Sequence, residues 1–103
     1  MRVEDLISIK LTEKFNPSVL NIENESHRHS SGRGAESHFK VTMVSAKFEQ
    51  QRMVDRHRRV YECLADELAN GVHALALHLY TEDEWQDRGG IIPKSTNCLG
   101  VEK

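Results

Sequence analysis

The sequence predicts an α+β fold: a two-layer sandwich with a small three-stranded mixed sheet and helices packed on one face, in the order α-β-β-α-β-α. Three observations lead there. The apolar residues switch along the chain between helical spacing and strict alternation. Helices alternate with too few strands for a doubly wound sheet. At 103 residues the chain makes one domain with a modest core.

The elements follow in order. Val3, Leu6, Ile7, Leu11 and Phe15 fill one half of a first helix, and Ile9 alone falls outside it. Asn16-Pro17 stops that helix, because proline disfavours the helical conformation in the residue before it. Leu20 and Ile22 share one side of a strand over about Ser18–Glu25. Ser26 to Glu36 is polar and Gly/Ser-rich, a long exposed loop. Phe39, Val41 and Met43 alternate with Lys40 and Thr42 as a half-buried strand.

An extra turn falls between Phe48 and Val54, before a second helix from about Asp55 to Ala69. Met53, His57, Val60, Tyr61, Leu64 and Leu68 form its apolar stripe, with Arg56, Arg58 and Arg59 projecting away. Asn70-Gly71 stops it. Val72 to Tyr80 is the third strand, with Leu75, Leu77 and Leu79 on the face of His73, and Ala74, Ala76, His78 and Tyr80 on the other. The first two strands should pair antiparallel, and the helical crossover makes the third parallel to a neighbour. Thr81-x-x-Glu84 is a capping box that opens a short last helix. The domain is thus expected over residues 1–88, with 89–103 a mobile C-terminal tail.

Composition narrows the function. The longest run without Asp, Glu, Lys or Arg is Leu68–Thr81, 14 residues, too short to cross a bilayer as a helix. The start Met1-Arg2-Val3-Glu4-Asp5 is acidic where a signal peptide would be basic and then apolar, so a cytoplasmic location is expected. Cys63 and Cys98 give neither a disulfide framework nor a paired-thiol zinc motif. No phosphate-binding glycine loop, serine elbow or paired-carboxylate motif is present, and no enzyme is expected. Net charge is −2 but uneven: residues 47–59 sum to +3 and residues 60–103 to −5. One short basic patch is therefore available to phosphates, carried by Lys47, Arg52, Arg56, Arg58 and Arg59. Glu62, Asp66 and Glu67 follow on the same helix, at spacings that would equally make it a salt-bridged solvated face.

Histidine is the anomaly, with six in the chain. His27 and His29 lie in the long loop, and His73 opens the third strand, so a swinging ligand faces a fixed one. Imidazole is the commonest protein metal ligand, and this pair makes a workable half-site. The alternative is solvated loop histidines and a boundary polar residue. His57, centred in the apolar stripe, is expected to be a buried structural histidine. Cys63 falls off the stripe, without the sequence neighbours of a nucleophile.

Asn24-Glu25-Ser26, His29, Ser37-His38-Phe39-Lys40-Val41, Arg56-His57-Arg58, Val60-Tyr61, Leu64-Ala65-Asp66-Glu67-Leu68 and Val72-His73-Ala74-Leu75-Ala76-Leu77-His78 resemble the BolA family over nearly the whole chain. The resemblance implies a class II KH-like fold, in agreement with the element order. It implies a non-enzymatic protein that pairs with a monothiol glutaredoxin and shares a [2Fe–2S] cluster with it and glutathione, with no cofactor in the isolated chain. The ligands carried over are His73 and the loop residue His29, with His27 the competing candidate. The apo form would be a monomer or weak homodimer, working in iron and redox stress. Bacterial members also act as DNA-binding transcriptional regulators of stress and cell-morphology genes. By resemblance that surface is the helix bearing Arg56, Arg58 and Arg59. Here the sequence departs from nucleic-acid-binding KH domains: Lys47 to Asp55 contain no glycine, and Gln50 stands where many relatives have one.

Overall fold

The computed structural model describes residues 2–25, 37–72 and 74–93. The order is α1 (Val3–Phe15), β1 (Val19–Asn24), β2 (His38–Val44), a 3₁₀ turn (Ala46–Phe48), α2 (Met53–Cys63), α3 (Ala65–Ala69), β3 (Ala74–Tyr80) and α4 (Glu82–Asp87). The sheet order is β1-β2-β3, with β2 antiparallel to β1 and parallel to β3. The fold class and strand directions read from the sequence therefore hold.

Helix α1 buries Ile7, Leu11 and Phe15 and leaves Ile9 exposed. It ends as the Asn-Pro pair requires, with Asn16 in the left-handed region at φ 45° and its N–H bonded to the Thr12 carbonyl. Asparagine reaches that conformation more readily than most residues. The core lies between this helix, α2 and one sheet face: Phe39, Val41 and Met43 of β2 meet Leu75, Leu77 and Leu79 of β3.

The second sheet face departs from expectation. Lys40, Thr42 and Val44 are buried too, so β2 is closed on both sides rather than half-buried. It is the central strand of the three. Gly89 and Gly90, at φ 75° and 68°, turn the backbone at the end of α4. The Pro93 carbonyl then accepts a 2.6 Å hydrogen bond from Lys40 Nζ. Of the tail expected over residues 89–103, residues 94–103 lie outside the described residues.

The expected second helix is two pieces. At Leu64 the backbone leaves helical geometry, with φ −106° and ψ 24°. Its buried face also differs from the apolar stripe. Arg56, Val60, Leu64 and Glu67 are buried, while Met53 and Tyr61 are exposed and His57 is half-buried. These buried positions share one helical face at 3.6-residue spacing. Hydropathy missed the face because two of its members are charged. Cys63, expected off the stripe, is half-buried against the core. Among the described residues, no helix is long and apolar enough to cross a membrane.

Candidate functional site

Two ends of β2 carry the residues singled out by the sequence. At its C-terminal end the chain enters the basic segment. Ser45 Oγ donates to the Phe15 carbonyl at 2.6 Å and accepts from the Lys47 N–H at 3.0 Å. Phe48 is fully buried, its ring centroid 5.2 Å from that of Phe15. Gln50 follows at φ 62°, in the left-handed region where glycine is free of strain. A turn conformation that favours glycine is therefore made here with glutamine.

The five basic residues then divide. Arg56 does not project away, as the sequence suggested: its side chain is 6% exposed. Nε donates to the Gln51 carbonyl, Nη1 to the Leu79 carbonyl, and Nη1 and Nη2 grip both Glu84 oxygens at 2.6 and 3.0 Å. Burying a guanidinium is tolerable only with such complete pairing. Glu84 Oε1 also accepts from the Thr81 N–H in the capping box, so one carboxylate caps α4 and holds Arg56. The hydrogen bond from Arg56 holds the Glu84 carboxyl below its ordinary 4.5. As a phosphate contact, Arg56 is thus withdrawn by geometry.

Arg59 is half-committed. Its Nη1 donates to the Lys47 carbonyl and Gln51 Oε1, both at 3.0 Å, and the guanidinium lies 5.2 Å from the Phe15 ring centre. Lys47, Arg52 and Arg58 remain outward. The Arg52 and Arg58 side chains are 80% and 65% exposed and flank Asp55, at 3.2 and 3.7 Å. Nor do the arginines pair with Glu62, Asp66 or Glu67 at helical spacing: Asp66 and Glu67 instead bind Lys10 of α1.

At the other end of β2 three chain segments meet. The Glu25 N–H donates to the His38 carbonyl at 2.7 Å, and the Ala74 N–H to the Ser37 carbonyl at 3.1 Å. In the sequence, residues 25 and 37 bracket the segment that holds His27 and His29, and 72 and 74 bracket His73. His27, His29 and His73 themselves lie outside the described residues. His38 Nδ1 is 2.9 Å from Ser37 Oγ. Among the described residues, no group of three or more His, Cys, Asp or Glu is placed to hold a metal ion.

The other titratable candidates are quieter. Burial pushes the Cys63 thiol up, away from the thiolate a nucleophile needs. Burial lowers His57, and lowers His78 with help from Lys40 and Arg88, so both favour the neutral imidazole. Sequence reasoning missed Glu84 as the partner of Arg56. Its only signal was the capping box, which explains one of its two duties.

Comparison with known proteins matches this arrangement. The family model for BolA-like proteins matches residues 11–84. A Haemophilus influenzae protein named DNA-binding transcriptional regulator BolA is 48% identical over 98% of both chains. A Vibrio cholerae protein of the same name is 52% identical over 95% of this chain and 92% of its own. The solution structure of BolA1 from Mus musculus superposes with a TM-score of 0.82 at 41% identity, over 97% of this chain and 80% of that one. In sequence and in fold, this chain belongs to the BolA family.

Proposed function

We propose that this chain is a non-enzymatic, DNA-binding transcriptional regulator of the BolA type. What carries the reading is the near-full-length identity to bacterial relatives that bear that name. The exposed Lys47, Arg52 and Arg58 supply a phosphate-contacting edge at the turn into α2. With few outward cations and Asp55 between two of them, binding rests on backbone phosphates and falls steeply with salt. The test is fluorescence anisotropy on duplex DNA across a salt series. Each phosphate contact contributes about one to the log–log slope, so Lys47→Ala/Arg52→Ala/Arg58→Ala should flatten it by two to three, or roughly that. A wild-type protein with no salt-dependent retention would sink the reading.

A second role is favoured by the other end of β2. There the backbone pairing draws together Glu25, Ser37, His38 and Ala74, the described neighbours in sequence of residues 26–36 and 73. In this reading His73 and His29, or His27, supply two imidazoles to one iron of a [2Fe–2S] cluster shared with a monothiol glutaredoxin and glutathione. Imidazole ligation on one iron raises the cluster potential, as in Rieske centres, and is lost when the ring protonates. Reconstitution with glutaredoxin and glutathione, followed by visible circular dichroism, tests it. His73→Ala should abolish the mixed-ligand spectrum, and a spectrum indifferent to both His29→Ala and His73→Ala would overturn the assignment. The two roles use opposite ends of a seven-residue strand, roughly 20 Å apart at ~3.3 Å per residue. One does not bury the other by mere proximity.

A further inference from the structure

Behind the basic edge, the outward face of α2 presents Val54, His57, Arg58, Tyr61 and Glu62 along one open surface. They fall at i, i+3, i+4, i+7 and i+8, a single helical stripe. The Tyr61 hydroxyl donates to the Leu75 carbonyl at 3.3 Å, so the ring is anchored at its tip and still 40% exposed. One turn before it lies His57, whose imidazole burial keeps neutral.

Two opposite charges stand beside these rings. Arg58 and Glu62 are four residues apart, the spacing at which charges on a helix usually close on each other. Here they do not. Arg58 Nη1 turns back to Asp55 at 3.7 Å, and Glu62 has no hydrogen-bond or ion-pair partner among the described residues. The stripe therefore combines flat rings, an open carboxylate and an outward guanidinium.

A phosphate is repelled by Glu62, but a nucleobase is not. Its face stacks on tyrosine and neutral imidazole, and an edge bearing N–H donors meets the carboxylate. Guanine alone among the DNA bases sets two adjacent donors, N1–H and N2–H, on its pairing edge, one for each carboxylate oxygen. Adenine, cytosine and thymine each set an acceptor beside their donor, against the negative charge. Both guanine donors are engaged in a duplex, so the base that fits is an unpaired one. Arg58, one turn or about 5.4 Å along the helix from Glu62, stays with the phosphates of the same strand, continuous with Lys47 and Arg52.

We propose that the α2 face is a binding site for an unpaired guanine, stacked on Tyr61 and His57 and read on its pairing edge by Glu62. The site rests on the DNA-binding reading and sharpens its substrate class: the basic edge holds backbone phosphates, and the α2 face selects a strand whose guanine is free of its partner.

Fluorescence anisotropy tests this with labelled oligo-dT strands that differ at one central base: dG, deoxyinosine or dT. The dG strand should bind about tenfold tighter than the all-dT strand. Deoxyinosine, which lacks the N2 amine, should fall between them. Glu62→Ala should abolish the dG preference and leave duplex binding and its salt slope unchanged. Tyr61→Ala should weaken the dG strand by about tenfold, whereas Tyr61→Phe, which keeps the ring and loses the Leu75 hydrogen bond, should bind as wild type. Equal binding of the three strands, a dG preference that survives Glu62→Ala, or a Tyr61→Phe loss equal to that of Tyr61→Ala would each overturn the proposal. Salt-dependent duplex binding without a guanine preference would sink this site alone, while loss of duplex binding as well would sink the DNA reading beneath it.

Discussion

Arg56 and Arg58 are two residues apart on one helix, yet they belong to different parts of the protein. Arg56 points into the sheet edge, where it binds two backbone carbonyls and a carboxylate. Arg58 points to water, with one distant partner. A run that reads as a single basic patch is half structural clamp and half available charge. What separates them is the supply of acceptors: the Leu79 carbonyl and Glu84 lie 23 and 28 residues downstream and come within reach only when β3 and α4 have packed. Charge in a sequence becomes a binding surface only where the fold leaves it unspent.

Removing each arginine in turn should break this pairing most sharply. Arg56→Ala strands the Leu79 carbonyl and frees Glu84, and should cost about 2–3 kcal/mol, less than a fully buried pair because Glu84 can rehydrate. Arg58→Ala should move stability by no more than about 0.5 kcal/mol, while reducing DNA retention. Urea denaturation read beside anisotropy checks both. Comparable stability losses for the two variants would remove the distinction.

Acid should loosen the clamp from its other side. Glu84 is held below its ordinary value by Arg56, so it contributes stability above the unfolded carboxylate pKa. That contribution disappears as pH falls through the lowered folded value. Glu84→Gln should therefore be less stable than wild type at neutral pH, with the gap closing in acid. Thermal melts from pH 7 downward would show it, and a gap that widened in acid would contradict the sign.

The smallest effect should come at the turn ahead of the helix. Gln50 sits at φ 62°. Gln50→Gly relieves about 1 kcal/mol of left-handed strain and returns part of it as unfolded-chain entropy, a net gain of about 0.5 kcal/mol. A melting point lowered by the substitution would mean that the glutamine side chain matters more than its backbone.

Much of the framework was legible in the residues. Leu75, Leu77 and Leu79 alternate because one face of β3 lies on the core, and Thr81 with Glu84 capped a helix as their spacing required. Asn16-Pro17 ended α1 for local reasons that any sequence window contains. The misread parts depend on distant partners. Arg56 is buried by acceptors from β3 and α4. Lys40 is buried with the Glu23 carboxylate and the Pro93 carbonyl as partners, and a polar residue alternating with apolar ones looks solvent-facing until such partners are known. For the candidate site, residue type flagged the histidines, and topology supplied the convergence of the segments that bracket them.

The Lys40–Pro93 hydrogen bond also bears on how the chain is made. Strand β2 is complete in sequence by Val44, with the Lys40 ammonium 3.3 Å from the Glu23 carboxylate of β1, but one of its edges waits for β3 and the ammonium's second acceptor lies 53 residues further on. A nascent chain halted before residue 80 would expose an unpaired strand edge, the surface that recruits neighbouring chains into aggregates. The Pro93 carbonyl thus works as a latch on the central strand, set only after β3 has closed the sheet edge.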